Sequence, residues 1–309
     1  MINRALIRLK IVQIIYSFYK NEGRSINTAE KELSFSLSKA HDLYNHLLYL
    51  MVELTKYKQK KIEAGKAKRN PSEEELNPNT KFVDNLFIKQ LANNIYLKEY
   101  ISKQKRTWSD EENFIEELYK TISETKTFKE YMSAPKGGYE EDKEFWRKIY
   151  KECISKNEEI DKVLEEQSLY WNDDKTIIDT FVVKTIKKFK QEAGDEQELL
   201  PEYRTDEDKE FAIKLFRKAI EQADQNKTLI ENHIENWDIE RIAFMDIVIM
   251  QIALAEIMNF PNIPINVSID EYVEISKWYS TPKSSGFINA TLDACVNKLK
   301  SENKINKLS

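Results

Sequence analysis

Apolar residues near the start of the chain recur with a helical period. A stripe spaced three and four residues apart runs through residues 3–20 and consists of Ile7, Ile11, Ile14, Ile15 and Phe18. The apolar residues on the opposite side are Leu6, Leu9, Val12 and Tyr16. Because such a helix is apolar nearly all round, we predict that it is deeply buried or carries a second contact surface.

Helical patterning continues into the middle of the chain. Asn27 or Thr28 can cap a long helix that runs to about Tyr57, and a charged, proline-containing loop is expected over 64–79. Further helices are predicted over 81–103 and 110–131. The APKGG segment at 134–138 combines helix breakers and indicates a boundary.

Beyond this boundary the sequence repeats itself. The segment 142–186 aligns without gaps on 208–252, and DKEF opens both segments. Trp171 and Trp237 match in the same alignment. We interpret the unit as a helix, a turn at the tryptophan and a second helix, which can stack on its own copy. The alternative is a chance match between helical sequences of similar composition.

The last part of the chain has the clearest helical pattern. Residues 239–258 are apolar on every face, which predicts a central, mostly buried helix that ends at Pro261 and Pro264. SIDE at 268–271 has the pattern of a capping box that opens the next helix. Ser284 or Ser285 is placed to cap the last helix.

The composition supports an all-α fold, because only 6 of the 309 residues are glycine and 7 are proline, while 33% are charged. We predict two helical-bundle regions. The first spans 1–133 and contains the basic first helix. The second comprises an inserted helical segment over 139–205, followed by a C-terminal bundle over 206–301.

The charge is unevenly distributed along the chain, whose net charge is −5. Residues 1–20 contain Arg4, Arg8, Lys10 and Lys20 and no acid, so this region can attract phosphate locally. A second basic run over 56–69 contains seven Lys or Arg residues against Glu63 alone. That run is interpreted as a solvated linker, with a phosphate-attracting segment as the alternative.

Several classes of protein lack support in this sequence. No signal sequence and no membrane-spanning apolar run are recognisable, so we expect a cytoplasmic protein without membrane contact. The two cysteines and three histidines show no metal-ligand spacing, so no metal or other cofactor is predicted. His41-Asp42 with His46 is similar to the HD phosphohydrolase motif, but the further ligands of that motif are missing, and no nucleophile motif is present. We therefore predict no enzymatic activity.

The segment from Ile239 to Leu299 resembles the carboxy-terminal half of the NusB family of transcription antitermination factors. The family's helix of the form D..ILR.A.YEL corresponds to Asp246 to Ile257, and its proline-ended link corresponds to Pro264. The INE..EL.K and F.NG.LD elements correspond to IDE..EI.K at 269–277 and FINATLD at 287–293. IVQIIYSF at 11–18 is similar to the family's AVQALYSW. The middle, roughly 58–205, has no clear counterpart, so the resemblance implies a long variant of the family.

The resemblance implies a function as well as a NusB-like fold. NusB proteins bind boxA-type RNA in nascent ribosomal RNA transcripts and pair with the ribosomal protein NusE. The pair joins an RNA polymerase elongation complex that resists termination. The expectation for this chain is therefore a non-enzymatic antitermination factor that holds RNA and a protein partner.

Five residues are assigned to RNA on this basis: Arg4, Arg8, Lys10, Tyr16 and Phe287. The basic residues would contact phosphate, and the two aromatic residues would stack on unpaired bases or pack against the partner. Tyr16, Asp246 and Phe287 match positions that in this family lie at or near the partner and RNA surface. Asp246 stands in an apolar helix and therefore needs a partner, either an arginine of the first helix or a basic residue of NusE.

A protein-only scaffold is the main alternative function. It would keep the partner surface but bind RNA weakly, which the acidic net charge and the few N-terminal arginines favour. The inserted middle segment is compatible with an enlarged RNA surface, a site for another factor, or a cover over a dimerisation surface.

Overall fold

The computed structural model describes residues 1–21, 25–171, 173–234, 242–305 and 307. Within these ranges the secondary structure is helical, and the single β-bridge joins Ile2 to Tyr203. In chain order the α-helices are α1 (Arg4–Lys20), α2 (Ile26–Lys66), α3 (Glu73–Leu76), α4 (Leu86–Asn93), α5 (Ile95–Ser102), α6 (Glu112–Glu124), α7 (Lys126–Ser133), α8 (Tyr139–Ile149), α9 (Glu158–Gln167), α10 (Lys175–Lys188), α11 (Asp206–Glu221), α12 (Ala223–Glu231), α13 (Phe244–Asn259), α14 (Ile265–Tyr279) and α15 (Ser284–Ser301). Searched over the same ranges, none of these helices is long and apolar enough to cross a membrane. The all-α prediction is confirmed.

The chain divides into two compact units. The middle unit comprises Met1 and 39–201, and the terminal unit comprises 2–38 and 202–309. The predicted division at 133 and 205 does not match this clustering, because α1 and the start of α2 group with the C-terminal helices. The physical reason is the all-round apolar surface of α1, which is buried against α11 and α13.

In the terminal unit, α13 is the central helix. It contacts α1, α11, α12, α14 and α15, and its residues from Asp246 to Ile257 are all buried. The prediction of a buried central helix is therefore confirmed from Phe244 onward, while residues 239–241 lie outside the described residues. Burial on every side explains why this helix carries no polar face.

Helix boundaries in the middle unit differ from the sequence-based ones. The helix α2 continues to Lys66 rather than ending near Tyr57. The predicted helices over 81–103 and 110–131 are both interrupted, because Asn94 and Thr125 cap new helices within them. The Asn94 side chain accepts from Leu97 N at 3.1 Å, and the Thr125 hydroxyl accepts from Phe128 N at 3.1 Å. Side chains that bond the backbone locally compete with helix continuation.

The sequence repeat has a structural counterpart in the same register as the alignment of 142–186 with 208–252. Helix α8 and the π-helical turn at 150–154 correspond to α11, α9 to α12, and α10 to α13. The long first helix predicted for each copy is broken into two pieces, α8 with α9 and α11 with α12. Trp171 is buried and its Nε1 donates to the Lys39 carbonyl at 2.8 Å. Its counterpart, Trp237, lies outside the described residues.

The correspondence between the two units also includes the first helix, α1. This match was not predicted from the sequence. When Arg4 is aligned with Leu86, α1 covers the span of α4 and α5 together. Asn3 and Asn85 are the matching N-caps, and their side chains accept from Leu6 N and Ile88 N at 3.0 Å each. Helix α8 packs on α4 and α10, as α11 packs on α1 and α13. The packing of α4, α8 and α10 in the middle unit thus resembles the packing of α1, α11 and α13 in the terminal unit.

Candidate functional site

A cavity of about 360 Å³ lies in the terminal unit, where the start of α13 meets the start of α15. Its lining residues are Ile242, Ala243, Asp246, Thr281, Lys283, Ser284 and Phe287. Two of these, Asp246 and Phe287, are residues that the family resemblance associates with the partner surface. The fold therefore brings them to one cavity although they are far apart in sequence.

Asp246 is the buried polar group of this cavity. It stands in the first turn of α13 and is only 4% exposed. Its Oδ1 atom is buried and has no hydrogen-bond partner among the described residues. The positive end of the helix stabilises the carboxylate in this position, and the open lone pairs leave it able to accept from a ligand.

An aromatic cluster stands beside the cavity, at the C-terminal half of α1. The Tyr16 and Phe244 rings are 5.6 Å apart, and Tyr19 is 6.2 Å from Phe244. The Lys20 ammonium lies 4.6 Å from the centre of the Phe244 ring, which is 38% exposed. Burial raises the pKa of Tyr19 to about 12, so its phenol stays neutral. This surface combines exposed aromatic area with a positive charge.

Two members of this surface, Lys20 and Phe244, are not among the residues that the sequence assigned to RNA or the partner. Lys20 was recognised only as part of the basic N-terminal region, and Phe244 as a residue of the apolar helix. The signal for Phe244 was its position at the first turn of α13, two residues before Asp246. A helix end is where the chain turns towards the surface, so a large apolar residue there can remain partly exposed.

Arg8 lies in the interior rather than on this surface. It is 3% exposed, and its Nε and Nη2 atoms donate to the two carboxylate oxygens of Glu256 at 2.8 Å each. Glu256 also accepts from Ser268 at 2.7 Å and from Tyr272 at 3.0 Å. Glu256 follows Asp246 by ten residues, which is about 15 Å along a helix. The geometry gives Arg8 a structural role and separates it from the cavity.

Of the other two basic residues assigned to RNA, Arg4 is paired within the terminal unit and Lys10 is buried. Arg4 is about one-third exposed, and its Nε atom is 3.2 Å from Asp208 Oδ1. Its guanidinium also lies 5.0 Å from the centre of the Phe211 ring. Lys10 is 3% exposed. Since Arg4 and Arg8 pair with Asp208 and Glu256, the arginines of α1 are not the internal partner that was considered for Asp246.

The described residues offer little for covalent or metal chemistry. They contain no group of three His, Cys, Asp or Glu side chains that could hold a metal ion. Cys153 and Cys295 are buried, and burial raises the pKa of their thiols to about 11 and about 12, respectively. A thiol with a raised pKa is a poor nucleophile at neutral pH.

Comparison with known proteins places this geometry in a family. The model of the NusB family matches residues 179–297. The transcription antitermination protein NusB of Salinibacter ruber is 36% identical over 132 residues, which cover 41% of this chain and 82% of that protein. NusB of Koribacter versatilis is 41% identical over 99 residues, covering 32% of this chain and 68% of that protein. NusB of Chloroherpeton thalassium is 40% identical over 99 residues, covering 32% and 47%.

The matched region contains α11 to α14 and most of α15, and so includes the whole cavity with Asp246 and Phe287. The chain is longer than the regions it shares with these relatives, as expected for a long variant. With most of two relatives covered at more than one-third identity, the chain belongs to the NusB family.

Proposed function

We propose that this protein is a transcription antitermination factor that binds boxA-type RNA together with NusE and joins an RNA polymerase elongation complex. The observation that carries the proposal is the cavity that holds Asp246 and Phe287 beside the aromatic cluster of Tyr16 and Phe244. The names of the NusB relatives support the same function.

The chemistry of this surface suits both kinds of partner. The buried carboxylate of Asp246 can accept from a cationic or amide group of a protein partner, which would satisfy its unpaired oxygen. The exposed Phe244 ring offers a stacking platform for an unpaired base, and Lys20 above it can contact phosphate. Lys283 adds a second exposed cation at the cavity.

The position of the RNA surface is therefore proposed to differ from the one expected from sequence. Tyr16 and Phe287 keep their assignment to RNA or partner binding. Lys20 and Lys283 take the phosphate-contacting role, with Arg4 as a partly exposed third cation. Arg8 and Lys10 are proposed to stabilise the fold rather than to contact RNA, because their side chains are buried.

The test is a titration of labelled boxA-type RNA with the protein, with and without NusE, at two salt concentrations. We expect affinity to rise with NusE and to fall with salt, because phosphate contacts release counterions. Lys20→Gln combined with Lys283→Gln should reduce the salt dependence of binding. Phe287→Ala should weaken capture of NusE.

Matched control variants separate this surface from general effects. Lys298→Gln removes an exposed lysine elsewhere in the terminal unit, and Trp278→Ala removes a side chain that is 67% exposed and does not line the cavity. Both controls should bind like the unaltered protein. If the controls lose as much affinity as the cavity variants, the proposed surface is wrong.

A protein-only scaffold is the second candidate function. It is favoured by the burial of Arg8 and Lys10 and by the pairing of Arg4 with Asp208, which leave little basic surface at the N-terminal half of α1. The same titration distinguishes the two functions. NusE binding that is unaffected by RNA at either salt concentration would favour the scaffold.

A further inference from the structure

The middle unit has a cavity of its own, of about 580 Å³, which the antitermination proposal does not use. It lies among α2, α5 and the extended segment 198–201, all within the middle unit. This volume falls in the range of about 300–1,000 Å³ that is typical of ligand pockets.

The wall formed by the extended segment is held firmly in place. The Leu200 amide donates to the Tyr44 hydroxyl oxygen at 3.1 Å, and the Leu200 carbonyl oxygen is 3.0 Å from Nε2 of His41. The Tyr44 hydroxyl is also 2.8 Å from Thr185 Oγ1 in the interior. The cavity is therefore preformed, so a ligand would not have to order this wall.

Five of the twelve residues that line the cavity are acidic residues or tyrosines. The carboxylates of Asp42, Glu99 and Glu198 line it together with one ammonium, that of Lys103. Lys103 pairs with Glu99 at 2.6 Å, and Lys39 pairs with Asp42 at 2.7 Å. Within the described part of the chain, Glu198 forms no ion pair. It therefore leaves one uncompensated negative charge at the cavity.

Two tyrosines give the cavity its aromatic surface. Tyr96 is 44% exposed, and Tyr100 lies one helical turn further along the same side. Burial, together with the negative charge of Asp42, raises the pKa of the Tyr100 hydroxyl, so that it stays a neutral donor. Aromatic faces next to carboxylates suit a guanidinium, which stacks on the ring and donates to the acid.

The features of the terminal unit's site are absent at the corresponding positions here. With α1 aligned on α4 and α5, Lys98 and Ser102 stand where the first helix has Tyr16 and Lys20. In the alignment of 142–186 with 208–252, Thr180 stands in place of Asp246. A second RNA site of the same type is therefore not expected in the middle unit, and the uncompensated charge of Glu198 would repel phosphate.

We propose that the cavity formed by Asp42, Tyr96, Glu99, Tyr100 and Glu198 binds an arginine-bearing segment of a basic protein partner. The guanidinium stacks on Tyr96 or Tyr100 and donates to Glu198, while the apolar part of the segment packs on the walls. This site gives the middle unit a binding function that is independent of the surface around Asp246.

The test uses the full chain and a fluorescein-labelled decapeptide of alternating arginine and leucine. Anisotropy is measured with this peptide, with a glutamate–leucine peptide of the same length, and with a labelled single-stranded RNA dodecamer. The cavity variants are Glu198→Arg and Tyr96→Ala, and the matched control is Glu196→Arg, which changes an exposed acid two residues before Glu198 and outside the cavity. Circular dichroism melts verify that each variant is folded.

We expect the arginine–leucine peptide to bind and the glutamate–leucine peptide not to bind. Glu198→Arg should weaken binding about tenfold or more, since it replaces attraction by like-charge repulsion, and Tyr96→Ala should weaken it about three- to tenfold. Glu196→Arg and the terminal-unit variant Phe287→Ala should have no effect. That last comparison keeps this proposal separate from the antitermination proposal.

Three results would overturn the proposal. One is the failure of the arginine–leucine peptide to bind the unaltered protein at millimolar concentration. Another is an equal loss of affinity in Glu198→Arg and Glu196→Arg, which would indicate general charge attraction rather than a site. The third concerns the RNA dodecamer. If this RNA displaces the arginine–leucine peptide, and if Glu198→Arg strengthens that displacement while Phe287→Ala leaves it unchanged, the cavity is a nucleic-acid site.

Discussion

Arg8 and Glu256 form a bidentate ion pair in the interior of the terminal unit, and both N···O distances are 2.8 Å. The pair joins α1 to α13. Ser268 and Tyr272 of α14 donate to the same carboxylate, so three helices meet at one buried charge. Glu271 adds a weaker contact to Arg8 at 3.4 Å. The carboxylate is thus fully partnered, which a buried charge requires.

Arg8→Met should destabilise the protein strongly, because it leaves the Glu256 carboxylate buried without its counter-charge. Removal of one partner of a buried pair costs about 3–5 kcal/mol. The double variant Arg8→Met with Glu256→Gln should recover part of this loss, since glutamine is uncharged and still accepts from Ser268 or Tyr272. Urea unfolding followed by tryptophan fluorescence measures both. A double variant no more stable than Arg8→Met would contradict this account of the pair.

Asp246→Asn should change binding far more than stability. The substitution removes the unpaired buried charge, which favours folding, and loses the favourable interaction with the positive end of α13, which opposes it. These opposing contributions should leave the free energy of unfolding within about 1 kcal/mol of the original value. Affinity for NusE should fall, because the carboxylate that the partner would satisfy is gone. A loss of stability of several kcal/mol would instead mean that Asp246 is a structural residue.

His46 makes the stability of the middle unit depend on pH. The imidazole is buried and stacks on Trp108 with ring centres 4.4 Å apart, and Trp171 lies 5.1 Å away. Burial lowers the pKa of His46 to about 3, against an ordinary value of 6.5. The neighbouring Gln167 side chain opposes this lowering of the pKa only in part.

The sign of the pH effect follows from this lowered pKa. Between pH 6.5 and 3 the unfolded chain binds a proton at His46 and the folded chain does not, so stability falls as the pH is lowered. The loss approaches about 1.4 kcal/mol per pH unit in that window. Denaturant midpoints compared at pH 7 and pH 5 should show it, above the range where carboxylates titrate. His46→Phe should reduce the difference, whereas an unchanged pH dependence in that variant would rule out His46 as its source.

The two matching N-caps should differ in their contribution to stability. Asn3→Ala removes a single capping bond and should cost about 0.5–2 kcal/mol. Asn85 is 1% exposed and also donates to the Tyr131 hydroxyl and to the Asp142 carbonyl, at 3.1 Å each. Asn85→Ala should therefore cost about 1–3 kcal/mol more, because buried partners are left unsatisfied. Thermal melts of the two variants make the comparison, and equal losses would contradict it.

Local patterns in the sequence were sufficient to predict the helix that is buried on every side. The apolar run after Ala243 predicted a buried central helix because no polar face is needed when every side is covered. The family resemblance likewise depended mainly on spacing within the segment from Ile239 to Leu299, which contains both Asp246 and Phe287. The helix breaks at Asn94 and Thr125 were not predicted, because the apolar residues keep a helical spacing on both sides of each break. A single capping side chain leaves that spacing unchanged, although it ends one helix and begins another.

By itself the sequence determined the helical class, the central helix, the internal repeat and the family. The tertiary structure decided where each charge acts. Arg4 and Arg8 looked like a basic surface in sequence, but their partners Asp208 and Glu256 lie in the last third of the chain and become neighbours only when α1 packs on α11 and α13. The net charge of a segment is the sum of its own charged side chains and takes no account of ion-pair partners elsewhere in the chain. Whether a cation faces water or a buried carboxylate is set by packing between distant helices.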